Sequence, residues 1–140
     1  NGKIYFAPAG ASRALRIDPE ADTVERMGEV IECGLPRYLA GGMLASNGKL
    51  YFAPAGTGHV LCIDPERESA AMLGPKVECE DAVFAKYTSS GVSAPDGRLY
   101  FAPAGAGRVM CVDPEEDAVE LVGPEIELGS AKYTAGGVLE

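Results

Sequence analysis

Five of the twelve Lys and Arg residues and the single His recur at two fixed positions of a repeated sequence, and these six side chains have the clearest capacity for chemistry. Arg13, His59 and Arg108 share one position, and Arg37, Lys86 and Lys132 share the other. Cations recurring in register gather into a rim when repeats stand side by side, and such a rim attracts phosphate or carboxylate groups. Glu32, Glu78 and Glu127 also recur close to the second position, so the same cations are candidates for ion pairs worth about 0 to 1 kcal/mol each when exposed. The first reading is a ligand site and the second is scaffolding.

Other constellations are weaker. A nucleophilic triad or dyad would have to use His59, which stands beside Gly58 in a turn with no nucleophile near it in sequence. Asp113, Glu115, Glu116 and Asp117 invite a calcium reading, but the spacing of a calcium loop is missing, and no metal or other cofactor is expected. Four cysteines show no CxxC or Cys/His cluster. Cys62 matches Cys111 and Cys33 matches Cys79 in the repeat, which places each pair on neighbouring units, beyond the roughly 7 Å Cα separation a disulfide spans. Free, buried thiols are expected, and they are compatible with a reducing compartment such as the cytoplasm. Arg16 replaces cysteine at the first copy of the Cys62 position.

The repeat that organises these residues is plain in the chain. NGKIYFAPAG begins at Asn1, NGKLYFAPAG at Asn47 and DGRLYFAPAG at Asp96. Each is followed by a second block (ALRIDPE, VLCIDPE, VMCVDPE) and a third (RYLAGGMLAS, KYTSSGVSAP, KYTAGGVLE). The units run 1–46, 47–95 and 96–140 as one domain, the middle one lengthened by three residues between Cys79 and Tyr87, as suits a loop. Glu140 stands one residue short of a full third unit, so the chain is expected to belong to a longer array or to close with another copy of itself.

Every unit reads as four short strands. Residues 4–9 (IYFAPA) are aromatic and β-branched, 14–17 (ALRI) end at Asp18-Pro19-Glu20, 23–27 (TVERM) alternate and stop at Gly28, and 39–44 (LAGGML) are small and apolar. Helical repeats are excluded because Pro or Gly interrupts each window and no 3.6-residue apolar period appears. Four strands in about 40 to 50 residues is the period of a β-propeller blade. With the glycine-rich strand innermost and called A, each copy runs B-C-D-A. The B–C and D–A loops then emerge at one end, which carries the six cations, and the Asp-Pro-Glu turns lie at the other. Tyr5, Tyr51 and Tyr100, then Phe6, Phe52 and Phe101, then Tyr38, Tyr87 and Tyr133 recur as the packing aromatics.

The blocks NGKLYFAPAG, VLCIDPE and KYTAGGVL resemble tandem propeller repeats of uncharacterised proteins from unicellular algae such as dinoflagellates. More loosely they resemble kelch and YVTN-type repeats, although the chain has no tryptophan and no WD dipeptide. The resemblance spans the whole chain and implies an all-β fold of three four-stranded antiparallel meanders, a partial propeller or half of a six-bladed ring. Propellers serve as scaffolds, lectins, lactonases and dehydrogenases, so the fold alone does not choose among them. The expected function is a non-catalytic module presenting loops to a protein or small anionic ligand. The alternatives are a hydrolase or lactonase whose metal site needs further blades, and a sugar-binding lectin assembled from few-bladed chains.

Composition narrows the partners. With 46% hydrophobic and 24% charged residues the chain is globular. A net charge of −9 repels nucleic acid and anionic lipid before contact. No run reaches the roughly 18 to 20 apolar residues of a membrane span, and the first residues lack the basic-then-apolar layout of a secretory leader. Self-association or the remaining blades of a longer chain are the expected partners of any open sheet faces.

Overall fold

The computed structural model describes residues 1–32, 35–78 and 85–140. Within them eleven short strands form three antiparallel sheets, with no helix. The first sheet holds β1 (Ile4–Phe6), β2 (Ala14–Asp18) and β3 (Thr23–Met27) in that order. The second holds β4 (Met43–Leu44), β5 (Leu50–Phe52), β6 (Val60–Asp64) and β7 (Ser69–Leu73). The third holds β8 (Val92–Ser93), β9 (Leu99–Phe101), β10 (Val109–Asp113) and β11 (Ala118–Val122), again as neighbours in sequence order.

The expectation of three four-stranded meanders is therefore met twice. The glycine-rich segment of each repeat pairs forward, with the first strand of the following repeat: Met43 lies opposite Tyr51, and Val92 opposite Tyr100. Among the described residues no such segment pairs with β1, and the first sheet has three strands. The matching segment of the last repeat, which contains Val138 and Leu139, pairs with no sheet among the described residues.

The strands expected at 4–9 and 39–44 are shorter than their sequences suggest. Pro8 has no N–H to give to a ladder. Its carbonyl and that of Ala9 accept instead from Tyr38 and Arg37, at 3.2 and 2.9 Å. Tyr38 in turn bridges to Pro54 of the next repeat. The same stitch recurs one repeat on, where Lys86 and Tyr87 donate to Ala55 and Pro54. Gly42 is small for a steric reason: a β-carbon there would lie 2.4 Å from the Phe52 ring.

Side-chain alternation builds two cores from one strand. Along β6, Leu61 and Ile63 pack with Ala14, Met27 and Phe52 against the first sheet, whereas Val60 and Cys62 pack with Tyr51, Met110 and Val112 against the third. The middle sheet is thus covered on both faces. Fully burying a side chain such as Leu61, Ile63 or Met110 contributes roughly 1.5 to 3 kcal/mol, against about 0 to 1 kcal/mol for an exposed ion pair. Stacking of the sheets, rather than their surface charges, holds the fold.

At one end of the stack the Asp-Pro-Glu turns behave as their chemistry predicts. Asp18 Oδ1 accepts from the N–H groups of Glu20 and Ala21 at 3.1 Å, and Asp64 and Asp113 accept from the equivalent N–H groups. The turns close through an acidic residue with positive φ in every repeat: Asp22 at 52°, Glu68 at 53° and Asp117 at 48°.

Candidate functional site

The end of the stack opposite those turns carries the recurrent cations, and they divide into two groups. Arg37, Lys86 and Lys132 are tied to the backbone. Arg37 is buried, with Nε donating to the Ile31 carbonyl at 2.6 Å and Nη1 to that of Gly10 at 3.1 Å. Lys86 Nζ lies 3.3 Å from the carbonyls of both Gly56 and Thr57. Lys132 Nζ donates to Gly129 at 2.8 Å.

Arg37 and Lys86 each hold the preceding B–C turn against the strand-crossing segment, so their positive charge neutralises converging carbonyl dipoles. Glu78, expected as a partner for Lys86, pairs instead with Lys76 at 2.9 Å, and this pair holds its carboxyl below the usual range.

Arg13, His59 and Arg108 form the second group. His59 Nδ1 lies 3.0 Å from the Gly74 carbonyl, which can only accept, so Nδ1 carries the proton. Arg13 and Arg108 are exposed, and neither guanidinium has a hydrogen bond or ion pair among the described residues. The backbone around them is fixed from beneath: Tyr38 donates its phenolic O–H to the His59 carbonyl at 3.0 Å, and Tyr87 donates to that of Arg108 at 2.9 Å. The recurrent tyrosines therefore position the turn that displays the cations.

A half-open cleft of about 270 Å³ lies beside Arg108 and includes Lys132 in its wall. Glu78, Glu125 and Glu127 line it as well, and Ile126 and Leu128 supply an apolar side. Of the six recurrent cations, this cleft brings together Arg108 and Lys132. Both signs of charge meet there beside exposed hydrocarbon, since Leu128 is largely uncovered.

A second recurrent contact escaped the sequence reading. Asp117 of the third sheet reaches the second, where Oδ1 accepts from Tyr51 Oη at 2.9 Å and Oδ2 from Lys49 Nζ at 2.6 Å. One sheet earlier, Glu68 reaches Arg16 and lies 3.7 Å from Lys3. The hydrogen bond from Lys49 holds the Asp117 carboxyl below its usual range, and the same bond raises the Lys49 ammonium. Burial pushes the Tyr51 phenol well above its ordinary value. The signal was present in the sequence: an acid recurs at Asp22, Glu68 and Asp117, and a base at Lys3, Lys49 and Arg98.

Cys62 and Cys111 are free thiols, each pushed up chiefly by burial. The other two cysteines, Cys33 and Cys79, and the loop insertion before Tyr87 fall on or overlap segments outside the described residues. Among the described residues no group of three His, Cys, Asp or Glu side chains is arranged to hold a metal ion.

No protein-family model and no curated protein matches the chain. Solved structures do. One is a chain of Kuenenia stuttgartiensis hydrazine synthase, 14% identical, with a TM-score of 0.63 over 96% of this chain and 35% of that one. Another is a protein of unknown function from Dyadobacter fermentans DSM 18053, 17% identical, with a TM-score of 0.51 over 84% of this chain and 40% of that one. At these identities the likeness is one of β-rich fold alone. The chain spans well under half the length of either.

Proposed function

We propose that the chain is a run of β-propeller blades acting as a non-catalytic interaction module, which presents its B–C and D–A loop end to a protein partner. The observation that carries this reading is the cleft beside Arg108, where Arg108 and Lys132 face three carboxylates and an apolar wall. A free anion uses only the cations of such a site. A peptide segment that sets an acidic side chain beside apolar ones uses all of it, and burial of Leu128 adds a hydrophobic contribution. The stacked sheets favour a propeller, because each of the first two repeats supplies an edge strand to the sheet of the next and each boundary buries a core of its own.

The reading is tested with a fluorescently labelled acetyl-Leu-Asp-Leu-amide peptide in an anisotropy titration. Saturable binding that weakens about ten-fold or more in Arg108→Glu, the loss of one desolvated charge contact, supports it. Binding indifferent to Arg108→Glu contradicts it. Full competition by inorganic phosphate at equal concentration would turn the site into one for small anions.

A further inference from the structure

The two internal sheet boundaries obey one rule, and the two open faces of the stack carry its unmatched halves. At each boundary the later sheet presents large apolar side chains, and the earlier sheet receives them. In the second sheet these are Leu50, Phe52, Leu61 and Ile63; in the third they are Leu99, Phe101, Met110 and Val112. The equivalents on the first sheet are Ile4, Phe6, Leu15 and Ile17, with Val24 opposite Ile17 on the next strand, and no sheet among the described residues covers them. Phe6 is 51% exposed, whereas Phe52 and Phe101 are 5% and 0% exposed. Five contiguous apolar side chains on one face form a patch that soluble proteins keep covered.

The third sheet carries the receiving half. Its outer face holds a hollow of about 270 Å³ walled by Arg98, Tyr100 and Cys111 together with Asp113, Glu116 and Glu120. On the second sheet the equivalent hollow, with Lys49 and Cys62 in its wall, counts Asp117 of the next sheet among its walls as well and is about 150 Å³. Asp22 on the first sheet is the equivalent of Asp117, holds the same positive φ, and is exposed. The acid that reaches no neighbouring sheet, and the receiver that meets an acid of its own sheet alone, Arg98 with Asp113 at 3.3 Å, lie on opposite faces of one chain.

Strand edges and tyrosines repeat the pattern. β1 exposes the edge that β4 and β8 cover on the other sheets, and Val138 and Leu139 are the residues equivalent to β4 and β8. Val138 is 93% exposed. Tyr133 is 48% exposed, against 2% for Tyr38 and 0% for Tyr87, whose hydroxyls reach the carbonyls of His59 and Arg108. The equivalent carbonyl for Tyr133 is that of Arg13, at the far end of the stack.

From these four correspondences we infer that the third sheet of one chain receives the first sheet of a second copy, head to tail. Val138 pairs opposite Tyr5 and Leu139 opposite Ile4 of the second copy, as β4 and β8 do within the chain. Tyr133 donates to the Arg13 carbonyl of the second copy, and its Asp22 enters the hollow beside Tyr100 and Arg98. A head-to-tail contact leaves both chains with one further face of each kind, so it extends until the rotation closes it. Closure at two copies rests on the propeller reading above, since propellers hold typically four to eight blades and three per chain allows six alone.

Light scattering over a dilution series of the 140-residue chain tests the inference. It expects a mass of twice 14.6 kDa. Phe6→Glu places a charge on the face to be covered, at a side chain already half in solvent, so the single chain still folds and the mass falls to that of one copy. Asp22→Arg and Arg98→Asp each shift dissociation to higher concentration by about ten-fold, the scale of one interfacial charge pair, and the double variant recovers most of the loss. A single-chain mass for the unaltered protein at every concentration overturns the inference, as does a two-chain mass that Phe6→Glu leaves unchanged. A mass that grows without limit, and that Phe6→Glu abolishes, overturns closure at two and the propeller reading with it. The single-chain result leaves the Arg108 cleft standing, because that cleft belongs to one chain.

Discussion

Tyr51 and Asp117 meet across the boundary between the second and third sheets, the phenolic O–H donating to Oδ1 at 2.9 Å while Lys49 holds Oδ2. The tyrosine is fully buried, and the acid stands in a turn at the sheet end. This contact fastens the rim of a boundary whose interior is apolar. Tyr51→Phe and Asp117→Asn should each lower stability by about 1 to 2 kcal/mol, with a coupling of about 0.5 to 1.5 kcal/mol in the double-variant cycle, the scale of a charge-assisted hydrogen bond near the surface. Urea denaturation measures all four proteins. Strict additivity would show that the contact carries no energy.

Arg37 has a larger effect than its charge suggests. Arg37→Ala strands the buried Ile31 carbonyl and removes a part-buried bond to the carbonyl of exposed Gly10, at an expected cost of about 1 to 3 kcal/mol, set mainly by Ile31. Arg37→Lys should recover part of that, because Lys86 serves the equivalent turn one repeat on. A stability change below about 0.5 kcal/mol in Arg37→Ala, the size of an ordinary surface substitution, would return Arg37 to the free rim.

Acid should loosen the same boundary through Asp117. Its carboxyl titrates below the usual range because Lys49 hydrogen-bonds to it. The folded protein therefore binds this proton less readily than the unfolded chain. The stabilisation is complete above the unfolded value, about 4, and is lost as pH falls through the lowered folded value. Glu68, held down by Arg16, acts in the same direction and is more exposed, so solvent screening reduces its share. Asp117→Asn should flatten the fall in stability between about pH 5 and pH 3, followed by thermal denaturation at a series of pH values. An unaltered slope would assign acid sensitivity to other carboxyls.

Gly74 permits one change of direction at the end of β7. Its φ is +76°, and a β-carbon there would lie 2.5 Å from Val119 Cβ. Gly74→Ala combines backbone strain with a clash against an adjoining sheet, so a loss of about 2 kcal/mol or more is expected by calorimetry. Gly48, also at positive φ but with open space about it, should lose about 1 kcal/mol when changed to Ala. Equal losses at the two positions would remove the argument from packing.

Cys62 and Cys111 should resist a thiol reagent at neutral pH until the protein unfolds, since burial raises both thiols and a thiolate is the reactive form. Labelling at least about ten-fold slower than in urea is the expected result. Equal rates would mean that these positions open freely.

The repeat, its strands and its turns were legible because each is a local property. Asp18, Asp64 and Asp113 cap their turns through N–H groups two and three residues away, which spacing alone fixes. The second block of the repeat, ALRI at 14–17 and VLCI at 60–63, likewise reads as a strand ending at an Asp-Pro-Glu turn, although nothing in it says that its two faces enter two different cores. The fate of the cations was not legible. Whether Lys86 meets Glu78 or the carbonyls of Gly56 and Thr57 depends on where the crossing segment runs, and no periodicity records that path. The acids Glu68 and Asp117 were hidden for another reason: turn chemistry already accounted for the acidic residues around them, so their reach to the neighbouring sheet left no residue unexplained.

The claim that the Arg108 end of the stack is the interaction surface is tested most directly by amide chemical shifts of the labelled protein during titration with acetyl-Leu-Asp-Leu-amide. The account predicts that the shifts concentrate on Gly105, Gly107, Arg108, Leu128 and Lys132 and shrink as salt is raised. Shifts confined to the Asp-Pro-Glu turns at the other end, or no saturable shift anywhere, would contradict it.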